Sequence, residues 1–395
     1  MAMYQFRGFL DDSTLLRARR AGRRVAVAAL MVVGLVAALP AAVGQAAPAT
    51  SICLTGKLAY DRLNAEAGTD KPVVTQPARD TNWELWGRTS STGSNQWLSG
   101  SATYPGDGYF NACYETTVPL QNVFLRFYSA GSSLWQVIKS TADQTQYSFD
   151  TTPIASLSTS QDLGTVKVPA AVQRAFHIAD TAFRLYGKRA NPSTACWTRH
   201  QDWGACDRLT FVWSQNATNG GYWDPGTQYV FMNGNQPDSE HFILHEAGHW
   251  FMWRLYNRAF PVVTNCNPHY INRSSSTSCA WTEGFADAVA AYLLGDYRYV
   301  FDDGSAISIK NDANTAGWDQ GDTVQGRVGA SLLDFWAAGG PDGGNWDRDI
   351  DLMSREFSQN FKEYFTVDRP NAVPALSTTG TARTIIENHT IVYQP

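Results

Sequence analysis

His245 and His249 stand four residues apart, with Glu246 beside the first, in the run His-Glu-Ala-Gly-His. On a helix, residues four apart lie one above the other on one face, so the two imidazoles can converge on a single ion. Two imidazole nitrogens at about 2.0–2.1 Å leave a zinc ion short of its tetrahedral shell. A third side chain must then arrive from elsewhere while a water fills the open position, where Glu246 can reach it. The motif alone is short enough to arise by chance on an ordinary helix. A second run, Trp281-Thr282-Glu283-Gly284-Phe285-Ala286-Asp287, places two carboxylates four residues apart in an otherwise apolar segment. Unpaired buried carboxylates are costly. A metal ligand, and a carboxylate bonded to the far nitrogen of a ligating imidazole, give both acids a reason to be there. The plainer reading has Glu283 capping its helix and Asp287 in solvent.

Together these residues resemble the gluzincins, the thermolysin-like clan of zinc peptidases, in which HExxH is followed by a helix bearing Glu-x-x-x-Asp. The resemblance covers residues 238–295 and implies a Zn2+ cofactor held by His245, His249 and Glu283. It further implies Glu246 as general base and later proton donor, and Asp287 as the group that orients an imidazole. The interval from His249 to Glu283 is longer than in thermolysin and contains Cys266, Cys279 and the polar run 274–278, which reads as a disulfide-tied insertion near the cleft. A metzincin would need Gly at 252 and His at 255, where this chain has Met252 and Leu255, and no aspzincin GTxDxxYG segment occurs. His241 shares the stripe of His245 but lies two turns from His249, too far for one ion to hold all three. The resemblance implies hydrolysis of peptide bonds in a peptide or protein, by attack of a zinc-activated water with Glu246 moving the proton. It also calls for a second donor to the oxyanion, a Tyr or a His. Tyr270 and His269 precede the glutamate helix, His389 and Arg327 follow it, and no motif chooses among them.

The elements that must position these residues come in two periods. From 51 to 150 the chain alternates over short segments, 83–87, 109–118, 123–129 and 134–140, separated by turn residues, which predicts a β-sandwich. Its segments resemble transthyretin-like or Ig-like accessory domains. Residues 151–166, with their Ser, Thr and Pro, read as a linker. Beyond them helices are expected over 169–187, 239–258, 280–294 and 324–338, the last two closed by Gly295 and Gly339, with strands at 209–214 and 228–233. The expected fold is α+β, an all-β sandwich followed by a mostly helical zincin-like domain, 167–395, with a small sheet. The strand at 228–233 is the expected edge along which an extended peptide would pair.

The chain of 395 residues, 44% hydrophobic and 13% aromatic, can bury a substantial core. An arginine-rich run leading into an apolar stretch from 25 to 43, then small residues, reads as an export signal over 1–47; an uncleaved membrane anchor is the alternative. No later segment is apolar enough to span. Removing 1–47, with six Arg and two Asp, takes the formal charge from −5 to −9, a balance that argues against a nucleic-acid partner. The expected product is therefore secreted, with no stable membrane insertion after cleavage. All six cysteines lie beyond the signal and pair as sequence neighbours: Cys53 with Cys113, Cys196 with Cys206, Cys266 with Cys279. A thiolate zinc site is the rival, and no Cys-x-x-Cys spacing supports it. A different class of function also fits such a chain: a secreted or surface protein that binds glycan or protein through the sandwich, with the zincin part as inert scaffold. A third reading keeps the peptidase and restricts it to glycoprotein or cell-wall peptide.

Overall fold

The computed structural model describes residues 48–190, 194–201 and 206–394, and the expected export signal lies outside them. In the first strand, β1 (Thr50–Leu63), Ile52, Leu54, Leu58 and Tyr60 point inward while Cys53, Thr55, Lys57 and Asp61 are more exposed, the period-two pattern of a sheet with one buried face. The chain continues through β2 (Val73–Pro77), β3 (Asn82–Arg88), β4 (Gln96–Ala102), β5 (Tyr109–Thr116) and β6 (Leu120–Tyr128). Then follow β7 (Ala130–Gly131), β8 (Trp135–Ile138), β9 (Ser148–Asp150), β10 (Ile154–Leu157) and β11 (Gln161–Lys167). One sheet is built on β1, which pairs with β2, β5 and β11; the other runs β10-β6-β3-β4, with β9 also on β6. Leu58, Trp83, Leu85, Phe110, Leu125 and Phe127 share one core.

The helical part begins with α1 (Gln173–Lys188), followed by β12 (Leu209–Trp213), β13 (Tyr222–Asp224), β14 (Tyr229–Met232) and α2 (Glu240–Leu255). After these come α3 (Thr277–Leu294), β15 (Arg298–Val300), β16 (Ala306–Ser308) and α4 (Gln325–Trp336). Helices α2 and α3 are buried at nearly every position, which is why both read as apolar all round rather than amphipathic. Small residues let them approach: a Cβ on Gly248 would stand 3.0 Å from Ala286 Cα, and one on Gly284 would stand 2.6 Å from the Gln325 carbonyl. Helix α3 ends on Gly295 in the left-handed region, whose amide closes onto the last turn.

The α+β architecture is as expected, with three differences in how it is divided. The stretch 151–166, read as a linker, contributes two strands. β10 pairs with β6 and β11 runs parallel to β1, so the β part extends to residue 167. The segment 134–140, assigned to the sandwich, instead gives β8, which pairs in parallel with β12 in a sheet ordered β13-β14-β12-β8-β7. Trp135 and Val137 therefore belong to the core of the helical part, and residues 48–395 form one compact unit. Lastly, β14 lies between β13 and β12, so the sheet edge is β13, not the segment 228–233. Helix α4 also stops at Trp336, before the Gly339 expected to close it.

The disulfides are Cys53–Cys113, Cys196–Cys206 and Cys266–Cys279, as read from sequence neighbours. Among the described residues no helix is long and apolar enough to cross a membrane.

Candidate metal centre

Helix α2 starts at Ser239, whose hydroxyl accepts the Phe242 amide at 3.1 Å and donates to the Val300 carbonyl at 2.6 Å. The four-residue spacing then stacks His245 and His249 with ring planes perpendicular and centroids 4.8 Å apart. Their Nε2 atoms face each other at 3.2 Å. From α3, Glu283 Oε2 comes within 3.2 Å of His245 Nε2 and 3.4 Å of His249 Nε2. These three atoms form a nearly equilateral triangle. Ligands on a tetrahedral zinc at about 2.0–2.1 Å would be separated by roughly 3.3–3.4 Å, so the donor set has the size and chemistry such an ion requires.

Asp287, one turn beyond Glu283, accepts from His245 Nδ1 at 2.9 Å and is fully buried. That bond places a proton on Nδ1 and turns Nε2 toward the triangle, the nitrogen the ring would offer to a cation. The second oxygen of Asp287 accepts from Gln325 Nε2 at 3.0 Å, and Gln325 Oε1 accepts from His269 Nδ1 at 2.8 Å. Three helices thus orient one imidazole. His249 has no such support, since its Nδ1 is buried with no partner among the described residues.

The electrostatics call for a cation. Buried Glu246 and Asp287 and part-buried Glu283 bring three carboxyls to two imidazoles. Burial works against a charged His245, but hydrogen bonds to Asp287 and Glu283 outweigh it and hold the imidazole well above its ordinary value. For Glu283 burial is again opposed, here by the charge of His249 and by bonds to both rings, and its carboxyl sits well below the usual range. Burial raises the Glu246 carboxyl. Its oxygen lies within 4.8 Å of the imidazole nitrogens, while an oxygen of Glu283 is within 3.4 Å of both.

The disulfide beside the site places Cys266 Sγ 3.8 Å from Glu283 Oε1, and Cys279 stands in the first turn of α3. With no thiol proton this is a packing contact against the carboxylate.

Of the four residues read as possible oxyanion donors, the structure brings one to the cluster. His269 Nδ1 lies 3.9 Å from Glu283 Oε2. Tyr270 is 59% exposed, and among the described residues its hydroxyl has no hydrogen-bond partner. Arg327 is buried elsewhere, donating to Asn311 Oδ1 and to the carbonyls of Asp312 and Asp319, with its guanidinium over Trp318. His389 bonds Asn311 and Asp334. Both hold the loop before α4, where a buried cation and imidazole satisfy loop carbonyls and side chains, and neither belongs to the cluster.

Two residues at the site carried no signal in the sequence. Gln325 looks like any helix-opening polar residue until its neighbours are known. Tyr299, in β15, sets its ring perpendicular to His245 at 5.4 Å. It is buried, and burial followed by the charges of Glu246, Asp287 and Glu283 pushes its phenol well above the ordinary value. Among the described residues its hydroxyl has no hydrogen-bond partner, and the residue as a whole is 7% exposed.

Residues 190–390 match the mycolysin C-terminal domain and residues 53–175 the mycolysin middle domain. The middle-domain match runs past residue 151, in keeping with β10 and β11 as part of the β region. No curated protein matches the chain. Among solved structures, a 9R-lipoxygenase from Cyanothece is 16% identical over 34% of this chain and 22% of its own, with a TM-score of 0.20, a likeness too slight to carry an argument.

Proposed function

Because the chain belongs to the mycolysin family, a family of metallopeptidases, we propose that it is an exported zinc peptidase whose metal ligands are His245, His249 and Glu283. The observation that carries this is the triangle of two imidazole nitrogens and a carboxylate oxygen with edges of 3.2, 3.2 and 3.4 Å. A zinc ion bound there supplies Lewis acidity, which lowers the pKa of a water toward about 7 and polarises a peptide carbonyl. Glu246 takes the proton of the attacking water on a carboxylate oxygen and returns it to the departing amine; burial, which raises its carboxyl, favours its holding that proton in between. Asp287 keeps His245 in the tautomer that presents Nε2. Tyr299 is the proposed donor to the developing oxyanion, with His269 as the alternative, because these are the donors whose positions favour it. An extended peptide is proposed to pair along β13, which among the described strands pairs with β14 alone and is joined to the site through Trp223, Phe260 and the ring of His249.

An inert scaffold would have no need of Glu246, which is neither a ligand in this reading nor a core residue by chemistry. The test is hydrolysis of a mixed peptide library by the purified chain, with and without chelator, beside Glu246→Gln. Wild type is expected to cleave and to stop on chelation, and the variant to lose about 10²–10⁴-fold in kcat while keeping zinc. A zinc-loaded wild type that cleaves no peptide would overturn the proposal, and undiminished cleavage by the variant would remove Glu246 from its role.

A further inference from the structure

Every helix begins with amides that have no partner inside it. In α2 the Phe242 amide goes to Ser239, and the two before it, on Glu240 and His241, both point to one oxygen from the β part: Glu66 Oε1, at 2.5 and 3.3 Å. Glu66 sits in the turn after β1 and is itself held, its Oε2 by Arg62 at 3.1 Å and its carbonyl by Arg298 at 3.0 Å. His241 stands one turn before His245. Its fully buried ring has Nδ1 3.5 Å from Glu66 Oε1 and Nε2 3.1 Å from the Asp296 carbonyl, just past the end of α3. One carboxylate and one imidazole therefore tie together the β part, the start of α2 and the end of α3. Around them the backbones touch, since a Cβ on Gly304 would lie 2.2 Å from the Gly68 carbonyl. Lys71 adds a bond to the Asp302 carbonyl at 2.9 Å.

We infer that Glu66 is a positioning residue for the metal centre: it fixes the start of α2 against the end of α3 and so sets His245 and His249 against Glu283 and Asp287. The lever is short, because His245 lies only about 6 Å along the helix from His241. The donor triangle has edges of 3.2–3.4 Å, so a slide of α2 by about 1 Å opens it. This gives the β part a task inside the catalytic unit, and it rests on the metallopeptidase reading for what the centre does.

The test uses the full chain carrying Glu66→Ala, Glu66→Gln or Glu66→Asp. Zinc affinity of the folded protein is measured by chelator competition. Hydrogen exchange of the α2 amides and the imidazole nitrogen resonances of His245 and His249 are read in the metal-free protein. Glu66→Ala is expected to weaken zinc about tenfold or more, speed exchange in the first turn of α2 and shift both imidazoles, while Glu66→Gln, which still offers an oxygen to both amides, stays close to wild type. A helix cap that only adds stability would lower the Tm and leave the folded protein's zinc affinity unchanged. That result overturns the inference, as does equal loss in the Ala and Gln variants. If Glu66→Ala does not fold, Glu66→Asp, whose carboxylate is one methylene short, is expected to weaken zinc in the same direction and carries the test. A wild type that binds no zinc sinks the function proposed above, whereas the exchange rates and imidazole resonances still decide this inference.

Discussion

Glu246 and Glu283 are carboxyls beside the same pair of imidazoles, and their surroundings drive them apart. Glu283 bonds both rings and is pulled well below the carboxylate range, whereas Glu246 makes no such bond and is pushed up by burial. The first is suited to ligation and the second to moving a proton, the usual result when two acids in one site are given different environments. The same reasoning separates the two tyrosines. Tyr270 came forward from its place in the chain, but it lies on the surface, whereas Tyr299 is buried and packs edge-on against His245. Tyr299→Phe is therefore expected to lower kcat by about 10²-fold with KM and zinc content little changed, as removal of one oxyanion donor does. Tyr270→Phe should leave both parameters within about twofold of wild type. Steady-state kinetics on one peptide substrate decide the matter, and an unaffected Tyr299→Phe would transfer the role to His269.

At the scale of elements, the centre exists because α2, α3 and α4 pack through small residues. Gly248 faces Ala286, and Gly284 faces the backbone of Gln325 and Gly329. For Gly248→Ala two effects oppose each other: alanine favours the helix by about 1 kcal/mol, and a Cβ 3.0 Å from Ala286 Cα forces an overpacking cost of about 1–3 kcal/mol. Stability should move by no more than about 2 kcal/mol while zinc affinity falls about tenfold, because the helices that carry the ligands are pushed apart. Gly284→Ala, which meets a carbonyl at 2.6 Å, should destabilise more. Urea titration beside chelator competition checks the order, and equal zinc affinity in wild type and Gly248→Ala would remove the seam from the account. What the sequence makes legible at this scale is what is local. The motif helix, the carboxylate helix and its Gly295 stop depend on spacing within one turn or two, and their observed bounds fall within three residues of those expected. The partners that come from far along the chain are not legible. Gln325 joins Asp287 across 38 residues, and Glu66 joins Glu240 across 174. Strands β10 and β11 were hidden by Ser, Thr and exposed positions because each lies at the end of its sheet, where one side needs no apolar partner. β8 looks like any other short strand, and only its pairing with β12 reveals which core it serves.

The whole molecule is joined by a layer of buried charge between its β part and its helices. Arg62, from β1, meets Glu66 and Glu240; Arg184 and His177, from α1, meet Glu240 from the other side. Nearby, Asp180 takes a bidentate contact from Arg79 and a bond from the Tyr60 hydroxyl. Buried pairs contribute little net stability over apolar packing, but breaking one strands a charge and costs about 3–5 kcal/mol. Such a layer therefore makes the joint between the two parts sensitive to acid. Burial would raise the Glu240 carboxyl, but the nearby His177 imidazole and the charges of Arg62 and Arg184 outweigh burial and bring it down from 4.5 to about 2. Glu66 is lowered too, its bond with His241 outweighing burial. A carboxyl whose pKa is depressed by folding stabilises the fold fully above its unfolded value and loses that contribution as pH falls through the folded one. For Glu240 the window runs from pH 4.5 to about 2, and the contribution is about 3 kcal/mol. The urea midpoint of the metal-free chain, measured in chelator so that proton competition for zinc plays no part, should fall steeply below about pH 4.5. Glu240→Gln should begin lower at neutral pH, because Arg62 and Arg184 lose their partner, and should lose less on acidification. A variant whose midpoint falls with pH as steeply as wild type would place the acid sensitivity elsewhere and leave Glu240 as an ordinary buried partner in the joint.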